Sequence, residues 1–256
     1  MYEAERKRSI LALLKEQERV EVQDLIQLLD VSESTVRRDL KELEQSGLLK
    51  RTHGGAVPVH TVNYEPTFSE KEITHREQKQ AIAREASALV SEGDVILLDS
   101  GTTMVYLARE LKRFQRLTVV TNAIPVAQEL LGCGGIELIL LGGTLRKDIL
   151  SLVGPFAEEI LGKLHVDTAF IATNAIHAEA GLSTPNVTEA SMKRRMIASS
   201  KRAVLLADSS KIGNITLVNF ASLKDIDLFI TDGEASEGLA ELEAAGLQVK
   251  AAAERK

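Results

Sequence analysis

The chain has 256 residues, 44% hydrophobic and 27% charged, which suffices to bury a core in one large domain or in a small and a medium one. Its 31 Lys+Arg against 37 Asp+Glu give a formal charge of −6, which excludes indiscriminate coating of nucleic acid or membrane but permits a small basic face. Cys133 is the single cysteine and excludes an intrachain disulfide, no apolar run approaches the ~18 residues of a membrane span, and the first residues lack a signal-peptide core, so a cytoplasmic setting is expected.

The first 50 or so residues read as three helices and a short hairpin. "AERKRSILALLKE" places Ile10, Leu11, Leu13 and Leu14 on one broad face, and "EVQDLIQLLDV" does the same with Val22, Leu25, Ile26 and Leu29. "SESTVRRDLKELEQSGL" carries Val36, Leu40 and Leu43 at i, i+4, i+7, with Gly47 as the expected stop. Ser32 fits the N-cap, where its hydroxyl can accept from an unpaired backbone N–H of the first turn. "LLKRTHGGAVPV" is expected to form two short strands around Gly54 and Gly55.

On the third helix the apolar residues occupy one narrow sector. Ser34, Arg38, Lys41 and Gln45 fall opposite, flanked by Thr35 and Arg37. Hydroxyls near the start and cations further along suit a recognition helix whose first turn meets base edges while its cations meet phosphates. Asp30 to Glu33 would be the tight turn of a helix-turn-helix, and Lys50, Arg51 and His53 would form a wing reaching the backbone or minor groove. Residues 34–53 hold five cations against three acids, a net of +2, whereas residues 1–60 together carry 10 against 11. A solvated helix face, with Glu42 and Glu44 as local partners, would account for each cation singly. The three helices, the N-cap, the outward hydroxyls and the adjoining hairpin together favour double-stranded DNA. The DNA-contacting set is therefore Ser32, Ser34, Thr35, Arg37, Arg38, Lys41, Lys50, Arg51 and His53.

From Pro58 to Ile73 no period is sustained, and the stretch reads as a linker between a domain over 1–57 and another over 74–256. After a helix ending near Gly93, apolar runs such as "VILLDSG", "LTVVTN", "IELILLGG", "VDTAFIATN" and "RAVLLADSS" alternate with amphipathic helices. That alternation predicts an α/β domain whose largely parallel sheet is covered on both faces. Polar or glycine residues end several strands, where open α/β sheets bind ligands. "LLDSGTTMVYL" offers Gly101 for close backbone approach and Ser100, Thr102 and Thr103 beside the free N–H groups of a helix start, an arrangement that can cradle an anion or merely cap a helix. Thr121 and Asn122 end another strand, where capping accounts for them as well as ligand contact does; Gly142 and Gly143 would admit a ligand close to the backbone, with Arg146 and Lys147 nearby. Glu189 and Lys193 stand at the i, i+4 spacing of a helix salt bridge, Arg194 and Arg195 read as surface, and Lys211 follows a strand end at Asp208, where it can act as a point charge on phosphate.

The segments "ERKRSILALLKE", "VSESTVRRDLKELEQSGLLKRTHGGAV" and "EGDVILLDSGTT" resemble the DeoR (deoxyribose-repressor) family of bacterial transcription regulators, and the resemblance covers almost the whole chain. It implies a winged helix-turn-helix joined to a sensor domain that resembles ribose-5-phosphate isomerase and binds phosphorylated sugars or related metabolites. It further implies homo-oligomers, dimers or tetramers, on operator DNA, with no membrane, metal or cofactor. The implied effector set is Asp99, Ser100, Gly101, Thr102, Thr103, Thr121, Asn122, Gly142, Gly143, Asn174, Glu189, Lys193 and Lys211. Where the family usually runs G-x-N-G-I-D, this chain has "ATNAIHAEAGLSTP", with Ala175 and His177 in place of a glycine and an acid, which alters how sugar hydroxyls would be read. The expected function is repression of a sugar-catabolism operon. The alternative is a sugar-phosphate isomerase with an added DNA-binding module, using Glu189, Asp208 and Lys211 as acid–base groups.

Overall fold

The structure, a computed structural model, describes residues 3–17, 19–45, 48–58, 65–233 and 237–253. The chain forms two compact units, Met1–Pro66 and Thr67–Lys256.

In the first unit α1 (Glu3–Gln17), the short β1 (Val20–Glu21), α2 (Val22–Leu29) and α3 (Glu33–Gln45) precede β2 (Lys50–Arg51) and β3 (Gly55–Val57). The helical periods do what their spacing demands: Ile10, Leu14, Val22, Leu25, Leu29, Val36, Leu40 and Leu43 close one buried cluster with Leu49 and Ala56. Each such side chain contributes about 1.5–3 kcal/mol by leaving water. Asp30 turns the chain between α2 and α3 in the left-handed region, at φ 50° and ψ 54°. Ser32 Oγ accepts from Thr35 N–H at 3.3 Å, the expected capping geometry. Gly47 lies outside the described residues.

The wing corrects one expectation. The three strands pair in the order β1-β3-β2, all antiparallel. Gly55 is not at the hairpin apex but inside β3, opposite Glu21, and the turn spans 52–54. Glycine is required at 55 by closeness, since a Cβ there would stand 1.8 Å from the Val20 carbonyl oxygen. A second feature had no signature in the sequence. Arg6 on α1 forks onto Asp39 on α3, Nε to Oδ2 at 2.7 Å and the second nitrogen to Oδ1 at 3.1 Å, with both side chains buried. This bidentate pair ties α1 across the core to the inner edge of α3.

The second unit opens on α4 (Phe68–Ile73) and α5 (Arg76–Ser87). α4 lies within the stretch expected to be a linker. It forms because Thr67 and Glu70 make a reciprocal capping box, which satisfies amide donors that a six-residue helix would otherwise leave bare. Residues 59–64 of that stretch lie outside the described residues. There follow β4 (Val95–Leu98), α6 (Thr102–Leu111), β5 (Leu117–Thr121), α7 (Ile124–Leu130), β6 (Ile136–Leu140), β7 (Thr144–Arg146), β8 (Ser151–Val153) and α8 (Pro155–Leu161). The chain continues through β9 (Val166–Ala172), β10 (Ala175–His177), β11 (Gly181–Thr184), α9 (Val187–Ala198), β12 (Ser200–Leu206), β13 (Val218–Ala221), β14 (Leu228–Thr231), α10 (Glu237–Ala244) and β15 (Val249–Ala251).

Seven strands make one parallel sheet in the order β15-β14-β12-β9-β4-β5-β6. Strand residues alternate between two cores. Ile96, Leu98, Phe170 and Val204 meet α5, α6 and α7 on one face, while Leu97, Ile171 and Leu205 meet α8, α9 and α10 on the other. The sequence runs are continuous in apolar residues because neither face sees water. β4 is the pivot: from it the chain winds outward through β5 and β6, then returns to place β9 on its other side. The crevice beyond the carboxyl ends of β4 and β9 is thus the topological switch point, where doubly wound sheets bind ligands. Two small sheets, β7-β8 and β10-β11-β13, lie outside the expected alternation. Among the described residues, no helix is long and apolar enough to cross a membrane.

Candidate functional site

In the first unit the outer side of α3 is polar. Ser32, Ser34, Arg37, Arg38 and Lys41 are exposed, Thr35 is half-buried, and Val36, Leu40 and Leu43 lie beneath them. The cations differ in how they are held. Arg37 is engaged by Glu33 one turn back at 2.7 Å, and Arg51 by Glu44 at 3.4 Å. Arg38 and Lys41 make no hydrogen bond or ion pair among the described residues, so their charge is available to a phosphate. Lys50 and His53 are likewise exposed, on the wing. The Ser32 hydroxyl lies 2.9 Å from both Ser34 Oγ and Thr35 Oγ1, which gathers three hydroxyls at the start of the helix.

In the second unit the switch-point crevice is a cleft lined by Ser100–Thr103, Ala172–Asn174, Glu189, Lys193, Leu206–Asp208 and Lys211, and also by Phe68, Lys71, Thr74, Lys79 and Ile149. Four lysines and two carboxylates therefore face it. Asp99 forms its floor. At 1% exposure its Oδ1 accepts from Ser100 N–H at 2.6 Å, and its Oδ2 accepts from Ala172 N–H at 3.0 Å and from Lys193 Nζ at 2.5 Å. Lys193 also donates to the Ala172 carbonyl at 2.9 Å, which ties the ends of β4 and β9 together through α9. Glu189 does not pair with Lys193, as their spacing suggested. It takes Arg146 at 3.1 Å and Thr184 Oγ1 at 2.7 Å instead. The helix geometry permits the i, i+4 pair, but a buried carboxylate beneath Lys193 binds it more strongly than a neighbour on the same helix face.

Gly101, at φ 122°, starts α6 with no side chain capping it, so the first N–H groups of a ten-residue helix open beside Ser100 and Thr102. Across the cleft, burial pushes the Lys79 ammonium down to about 8, with Lys211 and Lys71 adding to the effect and Asp208 opposing it. Burial also raises the Asp208 carboxyl, but Lys211, the Ser210 hydroxyl, His75 and Lys79 outweigh it and hold the group below its ordinary value. Asp208 thus stays ionised while Lys79 is a cation short of counter-charge. Crowded lysines over an uncapped helix start complement an anion carrying more than one negative charge.

The family model described as DeoR-like helix-turn-helix domain matches residues 6–62, and that described as DeoR C terminal sensor domain matches residues 74–233. The chain belongs to the DeoR family. The HTH-type transcriptional regulator GlpR of Haloferax volcanii is 44% identical over 97% of this chain and 98% of its own length. The HTH-type transcriptional repressor GlcR of Bacillus subtilis is 39% identical, covering 91% of this chain and 89% of its own. A solved ribose 5-phosphate isomerase A from Methanocaldococcus jannaschii is similar at a TM-score of 0.38 and 20% identity, over 52% of each chain. The chain is accordingly a DNA-binding transcription regulator with a small-molecule sensor domain, and its relatives are regulators rather than enzymes.

Within this DeoR-family sensor, the structure gathers Ser100, Gly101, Thr102, Thr103, Asn174, Glu189, Lys193 and Lys211 at the cleft and sets Asp99 under them. It leaves out the remaining four residues of the expected set. Thr121 Oγ1 is used within the sheet, donating to Leu98 O at 2.8 Å and accepting from Ala123 N–H at 3.1 Å. Asn122 holds β8 by donating to Leu152 O at 3.0 Å. Gly142 and Gly143 precede the β7-β8 hairpin, where a Cβ on Gly143 would lie 2.6 Å from Val153 O. These residues end β5 and β6, which lie on the side of β4 away from β9. His177 Nδ1 accepts from Glu179 and Ala180 N–H at 3.2 and 3.3 Å, which makes it a turn residue, while Arg194 and Arg195 are exposed as expected. Sequence reasoning missed Lys71, Thr74 and Lys79. The available signal was a lysine on the apolar side of "KQAIAREA", where Lys79 precedes Ile82, Ala83 and Ala86 at helical spacing.

Proposed function

We propose that this regulator represses a sugar-catabolism operon and that a phosphorylated sugar in the switch-point cleft shifts it between DNA-competent and DNA-incompetent arrangements. The observation that carries this reading is the cleft itself. An uncapped helix start at Gly101–Thr103 faces four lysines, with Glu189 and Asn174 at the rim as hydrogen-bond partners for sugar hydroxyls. The phosphate would sit at the α6 amides and Ser100, with Lys211 as a point charge, while Asp99 and Lys193 hold the loop ends in place. DNA contact is assigned to Ser34 and Thr35 at base edges and to Arg37, Arg38, Lys41, Lys50, Arg51 and His53 at the backbone, with Ser32 capping the helix. The DNA-binding part is assigned to residues 1–57 and the sensor to the second unit, Thr67–Lys256, whose α4 contributes to the cleft wall. A homo-oligomer would place two recognition helices on repeated half-sites, and switching requires that the ligand bind the two arrangements with different affinity.

A thermal-shift panel of phosphorylated sugars and their unphosphorylated counterparts, run on the full chain, tests the effector assignment. A selective ligand at 100 times its dissociation constant stabilises by about 2.7 kcal/mol. Shifts confined to phosphorylated members support the reading. A panel with no shift, or one that responds equally to free sugars, overturns it.

A further inference from the structure

Lys79 has a place in the cleft that the effector reading alone does not use. Its Nζ donates to the carbonyl of Thr74 at 2.7 Å and to that of Lys71, the last carbonyls of α4. α4 has no fully buried side chain; Phe68 packs partly buried against the core at its start, and polar ties help to hold the rest of the helix. One is the Phe68 N–H to the Asp148 carbonyl at 2.7 Å, beside Ile149 of the cleft wall; another, at the end of the helix, is the Lys79 ammonium. Cations near a helix C-terminus interact favourably with its unpaired carbonyls, and an ammonium has three donors, of which these carbonyls take two. α4 is also the first element of the second unit, reached by the chain directly after Pro66.

We propose that Lys79 is the positioning residue through which an anion in the cleft is coupled to α4, its third donor meeting the ligand while the other two hold the end of the helix. This rests on the anion-binding reading of the cleft. A phosphate group adds to the counter-charge of Asp208 around an ammonium that burial and two neighbouring lysines disfavour, so ligand and α4 docking reinforce one another through a shared cation. The occupied cleft thereby fixes the segment that leads back to the DNA-binding unit. An empty cleft holds it through a cation that is poorly compensated.

Hydrogen exchange on the full chain, with millimolar inorganic phosphate as the probe, separates the two layers. In the wild type phosphate should slow exchange of the amides of residues 101–104 and, together with them, of residues 70–75. Lys79→Met should speed exchange over 70–75 about tenfold without phosphate and remove its response there. Lys79→Arg should restore part of both. Protection at 101–104 with no change at 70–75 in the wild type overturns the coupling and leaves the cleft assignment standing, and this arm does not depend on any variant folding. Protection at 70–75 that persists in Lys79→Met also overturns it, by showing that the anion reaches α4 another way. No protection at 101–104 removes the cleft assignment and the coupling together.

Discussion

Replacing Lys193 by Met tests the floor of the cleft most directly. Lys193 and Asp99 are 2% and 1% exposed, their ion pair is 2.5 Å long, and the ammonium also satisfies the Ala172 carbonyl at 2.9 Å. Met fills a similar volume but leaves a buried carboxylate with the N–H groups of Ser100 and Ala172 and the distant Ser100 hydroxyl but no counter-charge from Lys193, and takes the Lys193 donor from the Ala172 carbonyl at the end of β9. Stranding one member of such a pair costs about 3–5 kcal/mol, a large part of the stability of an ordinary domain. Neutralising the other member as well should recover much of it, so Lys193→Met with Asp99→Asn should be more stable than Lys193→Met alone by about 2 kcal/mol. Urea denaturation of the full chain, with hydrogen exchange of β4 and β9 reporting the second unit, measures both values. A loss below about 1 kcal/mol for the single change, or a double change no better than the single, would refute the argument that this pair is held by charge compensation.

Four further outcomes follow from the same geometry. Gly55→Ala should destabilise the first unit by about 1–3 kcal/mol, because its Cβ meets the Val20 carbonyl oxygen at 1.8 Å, whereas Gly54→Ala should be mild, since it meets only the movable Glu21 carboxylate at 2.9 Å; equal melting shifts for the two would contradict this. Arg38→Ala should weaken operator binding and lower the salt slope by about one, leaving sugar-phosphate binding intact, and should cost more than Arg37→Ala, whose guanidinium is already engaged by Glu33; titrations at several salt concentrations read the difference. Lys211→Ala should raise the effector concentration needed for response while operator affinity persists, and an unchanged response would place that residue outside the phosphate contact. Finally, anion binding should weaken as pH rises through about 8, where the buried Lys79 loses its proton among Asp208, Lys211, Lys71 and Glu72. Because the unfolded state keeps that proton to about 10.5, folding stability should rise between the two values by at most about 3 kcal/mol; calorimetry of wild type and Lys79→Met across that window checks the sign.

Much of this molecule was legible in its sequence, for local reasons. Helical spacing at Val36, Leu40 and Leu43 dictates which side of α3 turns inward, so Arg38 and Lys41 must face out whatever surrounds them. Apolar runs bounded by polar strand ends specify a covered parallel sheet and place candidate ligand residues at the carboxyl ends of strands. Partnership was decided by contacts distant in sequence. Arg6 meets Asp39 33 residues away, Lys193 meets Asp99 94 residues away, and Glu189 prefers Arg146 to the lysine one turn along its own helix. The order of the sheet then separated the strand ends that line the cleft from those that do not. β4 and β9 lie side by side at the reversal of winding, so Ser100–Thr103 and Asn174 converge, while Thr121, Asn122, Gly142 and Gly143 end strands on the far side of β4. Periodicity is a property of neighbouring residues and survives without a partner; convergence depends on which strand lies beside which, and burial of the whole sheet settles that.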